Sequence, residues 1–145
     1  MALHTILGAS GVIGRALAAP LAASGARVRL VSRRPCQVGA RDETVAADLL
    51  DAEATARAVA GSAVAYLVAG LAYDATIWEQ QWPRVMRHTI DACKRHGARL
   101  VFFDNVYAYG RVDGPMTEET PFNPCSRKRE ARARLSTRLL DGMRA

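Results

Sequence analysis

Thr5-Ile6-Leu7-Gly8-Ala9-Ser10-Gly11-Val12-Ile13-Gly14 sets three glycines three apart, directly behind an apolar run that opens at Leu3. Glycine has no Cβ, so a triplet at this spacing marks backbone that must turn tightly or let another group come close. Leu3 to Leu7 reads as a first strand. Val12 to Ser24, rich in alanine and leucine, reads as a helix closed by Gly25 just past its end. Pro20 lies inside that helix and is expected to bend it, because its ring crowds the carbonyl one turn back. The glycines therefore occupy the turn from a strand into a helix.

The same alternation runs on. Val28 to Val31 is a second strand and Thr44 to Ala47 a weak third, followed by a helix from about Asp51 to Val59 that ends near Gly61. Val64 to Val68 is a fourth strand. From Ile77 to His96, apolar residues fall at Trp78, Trp82, Val85, Met86, Ile90 and Cys93, gaps of three and four that make one helical stripe, with Gly97 as its stop. Leu100 to Phe103 is a fifth strand, nearly all apolar, the pattern of a strand buried on both faces. Gly110 to Pro124 is a loop, and the segment from about Ser126 to Leu140 is helical. Strand and helix in alternation predict an α/β fold, a doubly wound parallel sheet covered by helices with right-handed crossovers.

The totals exclude several other classes. At 145 residues the chain is long enough for one domain with a real core. No apolar run approaches the roughly 20 residues that span a bilayer, and the amino terminus is strand-like rather than a secretory signal. Cys36, Cys93 and Cys125 are odd in number and widely spaced, which predicts free thiols in a reducing cytoplasm and no metal site. The net charge of +6 suggests nucleic acid at first sight. Between Ser126 and Ala145, however, seven basic residues (Arg127, Lys128, Arg129, Arg132, Arg134, Arg138, Arg144) face two acids (Glu130, Asp141), so +5 of the excess lies on one segment. No aromatic residue is interleaved there to stack on bases, so a solvated Arg-rich helix is the expectation and a nucleic-acid partner is not.

In a doubly wound sheet the turn after the first strand faces the crevice at the carboxyl ends of the strands. Gly8 permits the turn, Gly11 lets backbone approach a pyrophosphate, and Gly14 lets the helix pack on the strand. Ser10, Val12 and Ile13 bring the free N–H groups of the helix start to the phosphates. The spacing G-x-x-G-x-x-G differs from G-x-G-x-x-G, but its place between strand and helix is the context such a motif demands. A dinucleotide is the predicted ligand. The second strand ends Val31-Ser32-Arg33-Arg34 with no acid to bond a ribose 2′-hydroxyl, and a hydroxyl with two guanidiniums suits a 2′-phosphate, so NADP(H) is expected over NAD(H). Asp48 reads either as a partner of the adenine amino group, with Leu49 against the ring, or as a helix cap. Ala69 and Gly70, small residues after the fourth strand, leave room for the cofactor's ribose and nicotinamide side.

Gly8-Ala-Ser-Gly11-Val-Ile-Gly14, Ala47-Asp48-Leu49-Leu50-Asp51 and Leu100-Val-Phe-Phe-Asp-Asn-Val-Tyr-Ala-Tyr109-Gly110 together resemble the short-chain dehydrogenase/reductase superfamily, in its extended branch of NAD-dependent epimerases and dehydratases. The segment Glu118-Glu-Thr-Pro121-Phe-Asn-Pro124 also looks like that family's loop before its catalytic helix. The resemblance covers essentially the whole chain and implies a Rossmann-type fold. It also implies a Ser or Thr after the fifth strand and a Tyr-x-x-x-Lys pair on the next helix. Here Asn105 stands at the serine position, Lys128 at the tyrosine position and Arg132 at the lysine position, and no tyrosine follows Gly110. Asn105, Lys128 and Arg132 are therefore the candidate catalytic residues, with Lys128 the candidate proton donor. Family members run to about twice this length, so the fold is expected to stop after about five strands, without the carboxy-terminal substrate lobe. On this reading residues 1–125 form the NAD(P)-binding part and 126–145 the start of the second half. The fifth strand would lie at the sheet edge, and the tryptophan stripe offers either core or the face of a homodimer.

Two functions stay open on these grounds. One is an NADP-dependent oxidoreductase or epimerase acting on a small carbonyl or a nucleotide sugar; the other is a non-catalytic module that binds NADP(H) as a sensor or regulator.

Overall fold

Short strands of four to six residues, most of them followed by an alanine- or charge-rich helical run, build the observed order. The computed structural model describes residues 1–144. Its strands are β1 (Leu3–Leu7), β2 (Arg27–Ser32), β3 (Glu43–Ala46), β4 (Val64–Leu67) and β5 (Arg99–Phe102), and its helices α1 (Val12–Ala23), α2 (Ala52–Val59), α3 (Ala75–His96) and α4 (Arg127–Arg144). A 3₁₀ turn at Val106–Tyr109, which no local pattern in the sequence marks, follows β5. The predicted last segment becomes α4, and Ala145 lies outside the described residues.

The sheet runs β3-β2-β1-β4-β5 with every neighbouring pair parallel. Leu7 pairs with Val31 on one side and Leu67 on the other, and Leu67 pairs with Phe102, so the carboxyl ends of four strands finish in one row. Chain direction reverses its progress across the sheet after β3, which makes the gap between β1 and β4 the switch point where such sheets bind ligands. Right-handed crossovers then put α1 on one face and α2 with the Arg87–His96 half of α3 on the other. Two compact units result. The first is Met1–Gly70 with Arg87–Phe103, and the second is Leu71–Met86 with the chain from Asp104 onward.

In the first unit, Ile6, Leu7, Leu30, Val31, Ala65 and Leu67 are fully buried, each large side chain contributing about 1.5–3 kcal/mol relative to exposure. Thr5 and Ser62, both buried, satisfy each other's hydroxyls at 2.6 Å. The fifth strand lies at the sheet edge, as the resemblance implied, but it is not buried on both faces as its apolar run suggested: Val101 is 41% exposed, and Phe103 just beyond it is 57% exposed. Ile13, Leu17, Tyr66, Val68, Val101 and Phe103 line an open apolar groove of about 390 Å³. An apolar tetrad alone does not distinguish a strand buried twice from an edge strand with a bare face.

In the second unit, large apolar side chains of α3 are also buried. Trp78, Trp82, Val85 and Met86 are buried, so the tryptophan stripe is core rather than a face for a second copy. The Arg-rich helix is not uniformly solvated either. Arg132 is 4% exposed, its Nε donates to Asp104 Oδ1 at 2.5 Å, and its guanidinium lies 4.6 Å from the Trp82 ring. Ser136 donates to the other oxygen of Asp104. Arg127 donates to both oxygens of Glu79, and Arg138 to the Pro83 carbonyl at 3.2 Å. The positive charge of α4 is thus largely engaged within its own unit. Removing one partner of a buried ion pair strands the other, so Arg132→Ala is expected to cost about 3 kcal/mol in urea denaturation. Arg134→Ala, whose exposed pair with Glu130 spans 3.9 Å, should cost under about 0.5 kcal/mol in the same measurement.

Candidate functional site

The three glycines of the opening turn answer to three different constraints. Gly8 has φ +99°, and a Cβ there would lie 2.4 Å from the Cα of Ala69. Its N–H and that of Ala9 both donate to the Val31 carbonyl, at 2.9 and 3.0 Å, which ties the turn to the end of β2. A Cβ on Gly14 would lie 2.7 Å from the Cα of Ala9, so α1 packs backbone to backbone on the turn. Gly11 is otherwise. Its φ is −73°, and a Cβ would meet nothing closer than the Gly8 carbonyl at 3.4 Å. The fold requires glycine at 8 and 14; at 11 the missing side chain leaves open space on the outer side of the turn.

That space sits at the start of α1. Gly11 is the residue that opens the helix, no side chain caps it, and no acid stands in its first turn. The helix start therefore keeps unsatisfied N–H groups and their positive potential. Ser10, Gly11, Val12 and Ile13 are all exposed there. At the end of β2, the Ser32 hydroxyl is buried and has no hydrogen-bond partner among the described residues. Such an orphan is uncommon in native proteins and calls for an explanation. Arg33 and Arg34 follow it, both exposed. The donor set of helix start, hydroxyl and two guanidiniums is one that takes phosphate oxygens.

Asp48 does not cap α2. Asp51 does, its Oδ1 accepting from Ala54 N at 2.9 Å, and this bond is what holds its carboxyl below the ordinary range. Asp48 is exposed and its carboxylate accepts the Leu50 N–H at 3.0 Å, while the Leu49 carbonyl meets His88 Nδ1 at 3.0 Å. Ala69 packs against Gly8, and Gly70 has open space where a Cβ would stand.

The candidate catalytic residues lie in the second unit. Asn105 Oδ1 accepts from Tyr107 N at 3.0 Å and opens the 3₁₀ turn. Arg132 is engaged by Asp104, as above. Lys128, in the first turn of α4, places Nζ 3.4 Å from the centroid of the Tyr73 ring. Tyr73 belongs to no motif, so sequence reasoning misses it. The signal that could have found it is topological: it and Tyr107 follow adjacent parallel strands by a few residues. Cys93 is buried and its thiol is pushed up to about 11 by desolvation, so it is not a nucleophile at neutral pH. Among the described residues no cluster of His, Cys, Asp or Glu could hold a metal ion, and no helix is long and apolar enough to cross a membrane.

A parallel sheet in this strand order, with a glycine-cleared helix start at its switch point, defines the class of doubly wound dinucleotide-type folds. Residues 4–133 match the NAD dependent epimerase/dehydratase family, and the chain belongs to that family. No curated protein sequence matches it significantly. Solved structures do. UDP-glucose 4-epimerase from Brucella ovis in complex with NAD superposes with a TM-score of 0.86 at 19% identity, covering 100% of this chain and 49% of the epimerase. Uronate dehydrogenase from Agrobacterium tumefaciens gives 0.81 at 23% identity, covering 96% and 54%. A short-chain dehydrogenase/reductase superfamily protein from the same organism, with bound NAD, gives 0.79 at 27% identity, covering 95% and 44%. The chain spans about half the length of these structures.

The glycine geometry makes a graded prediction. Gly14→Ala should lower stability by about 1–3 kcal/mol through overpacking, and Gly8→Ala by more because positive φ adds strain. Gly11→Ala should change it by at most about 1 kcal/mol. Urea denaturation of the three variants gives the ranking.

Proposed function

We propose that this chain binds a nicotinamide dinucleotide across the Gly8–Gly14 turn and contributes the cofactor-binding part of an oxidoreductase or epimerase. One observation carries the reading: Gly11 is a glycine that the fold does not need, at a helix start with free N–H groups. A pyrophosphate whose oxygens meet those groups supplies the reason. Two of the neighbouring structures described above hold NAD, which supports a nicotinamide dinucleotide as the ligand. The preference for NADP(H) rests on this chain's own residues. Ser32, with its buried unpartnered hydroxyl, and the guanidiniums of Arg33 and Arg34 fit a 2′-phosphate, and no acid stands at the end of β2 to favour a 2′-hydroxyl. Asp48 and Leu49 take the adenine end, and Ala69 and Gly70 the nicotinamide side.

When bound, such a cofactor accepts or delivers a hydride, and the chain's own groups handle orientation and protons. Asn105, whose Oδ1 is taken by Tyr107 N–H, keeps its amide N–H groups to donate to a carbonyl. Arg132 acts by holding Asp104 and the segment after β5. The substrate class we assign is a small carbonyl compound or a nucleotide sugar, the second supported by the likeness to a UDP-glucose 4-epimerase. The competing reading, an NADP(H)-binding module without turnover, is favoured by one observation, the absence of any tyrosine after Gly110.

Calorimetric titration separates these claims. NADPH should bind at least 10-fold more tightly than NADH. Arg33→Ala with Arg34→Ala should lose about 10–100-fold for NADPH, as expected for charge-assisted bonds of about 1.5–3 kcal/mol, and little for NADH. Gly11→Val should abolish binding of both while the chain stays folded. Tighter binding of NADH would overturn the preference, and binding unaffected by Gly11→Val would overturn the site.

A further inference from the structure

The peptide between Leu49 and Leu50 is held from both sides. Its carbonyl oxygen meets Nδ1 of His88, on α3, at 3.0 Å, and its N–H donates to Oδ1 of Asp48 at 3.0 Å. A carbonyl only accepts, so Nδ1 carries the proton of the first bond. In a trans peptide the C=O and N–H point opposite ways, so His88 and the Asp48 carboxylate act on one rigid plane from opposite sides. His88 is buried and Asp48 is exposed. A buried imidazole is thus linked to a surface acid through a single peptide, and all of these residues belong to the first unit.

The turn itself is built without the imidazole. Ala47 N–H donates to the Ser32 carbonyl at 3.0 Å, Asp51 N–H donates to the Asp48 carbonyl at 3.0 Å, and Asp51 caps α2 through the Ala54 N–H. None of these three bonds touches the Leu49–Leu50 peptide, so they leave its tilt open. That tilt decides where the acid is held, because Oδ1 follows the peptide N–H and Oδ2 is carried with it. The half-buried Leu49 side chain turns with the same plane. Packing gives no reason for a histidine here. Around it α3 buries Val85, Met86, Ala92 and Cys93, a setting that an apolar side chain fills at lower desolvation cost.

We infer that His88 is a positioning residue for the adenine end: by fixing the Leu49–Leu50 peptide it aims Asp48 Oδ2 at the exocyclic amino group of a bound adenine, and Leu49 at the ring. The inference rests on the dinucleotide reading above. An amino group donates and a carboxylate accepts, so adenine and Asp48 match. Hypoxanthine carries an oxygen in place of that amino group, which gives Asp48 no donor and sets two acceptors against each other. His88 itself touches no part of the ligand. Its effect falls on the choice between the two bases, while the pyrophosphate meets the separate turn at Gly11. The contact is the same for the neutral and the protonated ring, since Nδ1–H is present in both. Asparagine at this position keeps it, because its side-chain nitrogen stands two bonds from Cβ, as Nδ1 does.

The first test needs no cofactor. Proton–nitrogen NMR spectra of the full chain, isotope-labelled in histidine, are recorded at alkaline pH, where the ring is neutral. The His88 signals, assigned by their loss in His88→Asn, should show the proton on Nδ1 and a bare Nε2. A proton on Nε2 overturns the inference. The second test compares calorimetric binding of NADPH with that of reduced nicotinamide hypoxanthine dinucleotide phosphate. The unsubstituted chain should prefer NADPH by about 10-fold, the worth of one hydrogen bond to a charged group. Asp48→Ala should erase that preference. His88→Leu should remove most of it by weakening NADPH alone, and His88→Asn should keep it. If His88→Leu weakens both ligands alike, the role is merely structural and the inference fails. It fails equally if NADPH binds and His88→Leu leaves the preference intact, and the cofactor reading then stands. If NADPH does not bind the unsubstituted chain, the cofactor reading fails and takes this inference with it.

Discussion

Backbone contact at the turn after β1 is the constraint on which the first unit depends. Gly8 lies so close to Ala69, and Gly14 to Ala9, that a single methyl group at either would collide with main chain. The same turn is tied to β2 by two N–H groups on the Val31 carbonyl. Three segments distant in sequence are thereby locked at one point, which is also where the carboxyl ends of β1, β2 and β4 finish level. A start of α1 fixed this firmly presents its N–H groups without needing to reorganise around a charged ligand, the condition for pre-organised anion binding.

Much of this is legible in the residues themselves. Alternating strand and helix patterns imply a parallel sheet because short strands with intervening helices have few other ways to bury both faces. The glycine triplet locates the turn because only glycine tolerates such proximity. What the pattern does not show is which of the glycines the fold itself requires: spacing is identical for all three, and only the space around each Cβ separates them. Likewise, the apolar tetrad of β5 reads as a doubly buried strand, although its position at the sheet edge leaves Val101 and Phe103 half bare. Burial belongs to the topology there, not to the residues.

The second unit shows the opposite balance. A run of seven cations suggests a solvated helix, yet Arg132 is buried on two tryptophans and a carboxylate, and others reach Glu79 and the Pro83 carbonyl. Helical periodicity is hard to see when arginine stems supply the apolar contacts, since their heads dominate any hydropathy reading. Counting along a resemblance makes Asn105, Lys128 and Arg132 candidates. Two of them spend polar atoms on local structure, and the third lies over a tyrosine that no motif marks. Tyr73 and Tyr107 become neighbours only because β4 and β5 are adjacent and parallel, a fact that no local sequence pattern carries.

The central claim is that a phosphate-bearing dinucleotide seats on the bare main chain between β1 and α1. An amide-resolved NMR titration of the chain with NADP(H) tests it most directly. The account predicts that the amides of Ser10, Gly11, Val12 and Ile13 move together with that of Ser32, in one saturable event. Saturable shifts confined to other segments, with the Gly8–Gly14 amides unmoved, would contradict it.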